Sequence, residues 1–159
     1  MRARTAPLIT TAAALFVGAF ENPAHAKQAT WKQLQHWKIV GDADVPYCGG
    51  FSMFKDGTVI HMSLNPGGWN FAIQGVAATP GAAYNVTVAT TDTTGVLQGE
   101  GLSGGNGVLF KGMAPSSIAH LAVTPKLYIQ GLGTFNMKGS YKAVLEILDC
   151  YKAISGVGI

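Results

Sequence analysis

Charge is scarce in this sequence. Only 12% of its 159 residues are Asp, Glu, Lys or Arg, against 48% hydrophobic. That balance excludes intrinsic disorder, which needs few apolar residues and much charge. It also excludes a coiled coil or helical bundle, which draws about half its residues from Ala, Glu, Lys, Leu and Arg at a helical period. The basic excess is small, 11 Lys and Arg against 8 Asp and Glu. No clustered basic face results, so nucleic acid is not an expected partner.

Long apolar runs are lacking too. The longest, residues 6–20, is too short to cross about 30 Å of hydrocarbon at roughly 1.5 Å per residue. It reads instead as the core of an export leader. Arg2 and Arg4 precede it, and Glu21 to Ala26 form a polar end in which Ala24-His25-Ala26 meets the small-x-small rule for cleavage. The expected division is a cleavable signal peptide over 1–26 and a single exported domain over 27–159, starting at Lys27. A bacterial periplasm or the cell exterior is the expected location, with no membrane span in the mature chain.

Cysteine is limited to Cys48 and Cys150, with no Cys-x-x-Cys for redox chemistry. In an oxidising compartment an even count suits a disulfide, and only one pairing is available. No two histidines stand at a metal-ligand spacing, so His36, His61 and His120 are expected at the surface or half-buried. Asp42 and Asp44 are two apart, too few oxygens for calcium, which takes six to eight. No carboxylate pair is nominated for hydrolysis, the serines are not expected to act as nucleophiles, and no phosphate loop is present. The expectation is no cofactor, no metal and no enzyme.

Glycine is abundant, with 21 residues, and it punctuates short alternating segments. Residues 27–36 read as a polar arm or short helix around Trp31. Trp37 to Val40 reads as a first strand, and Asp44 to Gly50, with Tyr47 and Cys48, as a loop. Lys55-Asp56-Gly57-Thr58 between Phe51–Phe54 and Val59–Leu64 predicts a hairpin, because Gly accepts positive φ. Further strands are expected at Trp69–Gln74, Tyr84–Ala89, Val96–Gln98 and Val108–Phe110, and late ones at Leu127–Ile129 and Thr134–Met137, which a bulge could join. Turns every 8–12 residues are the rhythm of an antiparallel sandwich or barrel. Pro115 to Leu121 suits a short Ser-capped helix. Tyr141 to Ala153 suits a longer one, with an apolar stripe of Val144, Leu145, Leu148 and Tyr151. The predicted fold is mainly β, an antiparallel β-sandwich or small barrel with one C-terminal α-helix.

A family resemblance appears in the last third. Leu127-x-Ile129 and the run from Gly133 through Gly139-Ser140 to Leu148-Asp149-Cys150, with Trp37 ahead of Cys48, is similar to the invasion-associated locus B family of small exported proteobacterial proteins. The sequence departs from that family in lacking additional cysteines. The resemblance implies a β-sandwich without a catalytic site and a role at the cell envelope or a host surface.

Three functions compete. The first is an exported, non-enzymatic protein-binding module, with Trp31, Trp37 and Tyr47 as candidate contact residues. The second is an inhibitor or immunity-type protein that blocks a lytic enzyme with a loop such as Gly99 to Gly107. The third is a small-ligand-binding β-barrel.

Overall fold

The computed structural model describes residues 28–89 and 94–156. The expected leader, residues 90–93 and the last three residues lie outside them. Ten strands and two helices follow one another as β1 (Ala29–Gln33), β2 (Lys38–Asp42), β3 (Tyr47–Met53), β4 (Val59–Asn65), β5 (Gly68–Gln74), β6 (Ala83–Ala89), β7 (Thr94–Gly101), β8 (Gly107–Met113), α1 (Pro115–Val123), β9 (Lys126–Ile129), β10 (Gly133–Asn136) and α2 (Ser140–Ser155).

Eight strands form one antiparallel sheet in the order β1-β2-β3-β4-β5-β8-β7-β6, and β9 and β10 form a hairpin of their own. Mainly β with a C-terminal helix is therefore the architecture. Among the described residues the ladder ends at β1 and β6, which do not pair with each other. The layer over one face is built from α1 and α2, with the β9–β10 hairpin lying beside β6.

Side-chain alternation sets the two faces. Ile39, Cys48, Ile60, Met62, Phe71, Ile73 and Phe110 turn toward the helices and are buried with Ile118, Leu121, Ala143 and Ile147. Phe71 and Phe110, on adjacent β5 and β8, meet at 5.7 Å between ring centres. The α2 stripe is rotated from the expected one. Ala143, Val144, Ile147 and Cys150 face the core, while Leu145 is exposed. Ile147 supplies the apolar position that moves the stripe round.

Several local expectations are corrected. The polar arm is strand β1, because its backbone completes the β2 ladder even though all five of its residues are exposed. Tyr47 and Cys48 begin β3 instead of lying in a loop, paired with Asp42 and Gly41. The late strands are a hairpin turned at Gly131 and Gly133, both at positive φ, and not one bulged strand. Helix α1 starts after Ala114 with Pro115 in its first turn and has no side-chain cap. At α2 the cap is Gly139 at φ 80°, and the Ser140 hydroxyl instead donates to the Ala122 carbonyl at 2.6 Å, tying α2 to the end of α1.

Candidate functional site

Strand β3 carries Gly49-Gly50, and each glycine clears one face of the sheet. On the helix face a Cβ at Gly50 would lie 2.9 Å from the Ile39 side chain and 3.2 Å from that of Ile147, so glycine lets α2 seat closely. Next to it Cys48 and Cys150 form a buried disulfide with Cα atoms 6.1 Å apart, joining β3 to α2. Gly41 on β2 lies against this bridge. A Cβ there would come within 2.7 Å of Ile154 Cδ1 and 2.8 Å of Cys150 Sγ.

On the opposite face Gly49 makes room for Tyr47. The ring folds over Gly49, where a Cβ would sit 2.9 Å from its Cζ, and the phenol oxygen reaches His61 Nε2 at 2.9 Å. His61 is buried, not at the surface, and stacks on Phe51 with ring centres 4.4 Å apart. Burial pushes its pKa down to about 3, so the imidazole stays neutral. Burial pushes the Tyr47 phenol up, and a hydrogen bond from Ser63 only partly offsets it. The phenol and the neutral imidazole share this hydrogen bond, whose direction follows the ring tautomer. Two neutral, buried groups in contact are packing partners in β3 and β4, and they lock the Phe51 ring.

Phe51 is the floor of an open groove of about 630 Å³. Cross-strand register places Lys38, Phe51 and His61 in one row, and Met53, Val59 and Gln74 in the next. Gln33 is opposite Lys38 and extends the first row onto β1. The turn residues Gln35 and His36 line one part of it, and Asn136 at the end of β10 and Lys138 before α2 line another. The second part is fixed by Trp37, whose Nε1 donates to the Lys138 carbonyl at 3.0 Å.

The residues predicted from sequence fall apart in space. Cys48 and Cys150 come together as expected. Trp37 is 1% exposed and Tyr47 7%, so both pack inside. Trp31 is 44% exposed at a bulge in edge strand β1, between Thr30 and Lys32. Its neighbour Lys32 ion-pairs with Glu146 on α2. Asp42 is buried and accepts from the Asp44 and Val45 amides, so it shapes a turn. The Gly99–Gly107 segment is the end of β7, a turn over 102–106 and the start of β8, and the turn is pinned to the β5–β6 connection by Gly75 N–H to Asn106 O and Ala78 N–H to Gly105 O. A loop so pinned offers no free finger for a cleft. Gly101-Leu102-Ser103-Gly104-Gly105 has the spacing of a nucleophile elbow, yet it turns from strand to strand, whereas the elbow needs a strand-to-helix turn. No group of three or more potential metal ligands occurs among the described residues.

The groove residues Gln74, Lys38 and Phe51 escaped sequence reasoning. The one usable signal was the glycine pair within a strand pattern, which marks close approach on both faces.

This architecture is similar to the crystal structure of invasion associated protein b from Bartonella henselae, with a TM-score of 0.49 and 16% sequence identity, over 76% of this chain and 97% of that one. The neighbour carries the name of the family that the C-terminal residues resemble. No protein-family model and no curated protein matches the chain.

Proposed function

We propose that the protein is a non-enzymatic binding module working outside the cytoplasm, which takes a protein partner along the β1 edge of its sheet. The observation that carries this reading is β1 itself. All five residues are exposed, one backbone edge is unpaired among the described residues, and Trp31 projects from the bulge. An unpaired edge can accept another strand, and a half-exposed Trp beside it is a suitable anchor. Four side chains capable of chemistry have structural duties. His61 packs neutral in the sheet, Asp42 and Asp56 hold turns, and Glu146 pairs with Lys32. A fully buried cross-link and the leader-like N-terminus support an oxidising location.

The test compares wild-type protein with Trp31→Ala as bait for envelope and secreted extracts. A partner held stoichiometrically by wild type should be lost by the variant, with an unchanged melting temperature. Equal capture by both proteins would refute the β1 reading. The mass of the recovered protein checks the location, since export predicts a chain beginning at Lys27.

A further inference from the structure

Gln74 is 7% exposed, lies at the end of β5 and lines the groove, yet its carboxamide makes no hydrogen bond to any described residue. Only the tip of the side chain is open, so the amide meets water at the groove surface. Its open side is the groove, so a ligand there can take the place of that water and pair with the amide.

We propose that this groove is a binding site for an acidic saccharide, a ligand of roughly disaccharide size that bears a carboxylate. Three features of the lining fix the chemistry. The first is amide content: Gln28, Gln33, Gln35 and Asn136 join Gln74 around the cavity. Each amide offers a donor and an acceptor, as sugar hydroxyls require. The second is the floor. Phe51 is held in place by stacking on His61 at an interplanar angle of 15°, and Val40 and Val59 line the groove with it. A flat apolar surface receives the C–H face of a sugar ring. The third is charge. Lys38 and Lys138 line the groove, and no Asp or Glu does. That imbalance selects an anion over a neutral sugar. The volume of about 630 Å³ lies within the range of small-molecule sites. A fatty acid fits less well, because its tail would bury amides without partners. This site is separate from the outer edge of β1 and stands or falls independently of it.

Isothermal titration of the oxidised protein tests the assignment with four probes: a chondroitin disaccharide containing glucuronate, the neutral disaccharide N-acetyllactosamine, an Asp-Glu tetrapeptide and decanoate. The acidic disaccharide should bind at least about tenfold more tightly than each of the others, and more weakly as salt rises. Gln74→Met should weaken that binding by about tenfold or more while melting close to wild type, because the two side chains have similar volumes. Lys38→Gln should erase the preference for the acidic sugar over the neutral one. Equal affinity for the neutral sugar, tighter binding of the peptide or decanoate, or no heat at millimolar probe would overturn the proposal. So would a Gln74→Met protein that binds as wild type does.

Discussion

Gly41 shows how much a missing side chain can decide. It stands where a methyl group would collide with Ile154 and with the sulfur of Cys150. That sulfur belongs to a cross-link and has little freedom to yield. Gly41→Ala should destabilise the protein by about 1–3 kcal/mol, the usual cost of overpacking. Gly95→Ala, where nothing lies within 4 Å, should be close to neutral. Urea denaturation of the pair separates crowding from a general effect of adding a methyl group. His61 makes a second residue-scale prediction. Its folded pKa of about 3 lies below the ordinary 6.5, so the folded state binds fewer protons than the unfolded one. The stability it permits is complete above pH 6.5 and declines as pH falls toward 3, at up to about 1.4 kcal/mol per pH unit. Denaturation midpoints at pH 7, 6 and 5 should show this decline, and His61→Phe should flatten it. Neither residue advertised its role in the sequence. Gly41 looked like a strand end, and His61 alternated with Val59 and Ser63 as a solvent-facing residue would. The sheet is covered on both faces at β4, so alternation there separates two interiors and not an inside from an outside.

At the scale of elements, the most consequential link is between β3 and α2. Replacing both Cys48 and Cys150 by Ala should cost about 2–5 kcal/mol, read as a lower melting temperature. The oxidised protein should show no free thiols after denaturation and weigh two hydrogens less than its reduced form. This link was legible because two cysteines admit one pairing. The hairpin around Asp56-Gly57 was equally legible, since the Asp56 carboxylate holds the Thr58 amide at 2.9 Å and Gly57 takes φ 88°. Strand β1 was not legible. Its residues are polar and exposed, so no hydrophobic period could reveal it, and it is a strand only because β2 presents a free edge. Exposed edge strands draw their stability from backbone pairing, on which composition is silent.

At the scale of the whole molecule, the groove is assembled from strands β1 to β5 and the segment joining β10 to α2. Its residues are more than 100 positions apart in sequence, from Gln28 to Lys138, and only cross-strand register brings them together. That is why the sequence yielded the sheet but not the site. Trp37 closes the assembly by joining the β1–β2 turn to the start of α2. Trp37→Phe keeps the ring in the core but removes the bond to the Lys138 carbonyl. It should cost about 1 kcal/mol by denaturant titration, and it should loosen the groove wall, seen as faster amide exchange at Lys138 and Gly139.

The cross-link also governs how the protein would respond to tension. Its two cysteines are 102 residues apart, and a force applied to the two ends of the described chain would pass through the sulfur–sulfur bond. About 350 Å of extended chain is thereby withheld from the pull. Only β1, β2 and the last turn of α2 could be drawn out, while the sheet from β3 onward would bear no load along its backbone. A module tethered between two surfaces would lengthen a little and then hold until a reductant released it.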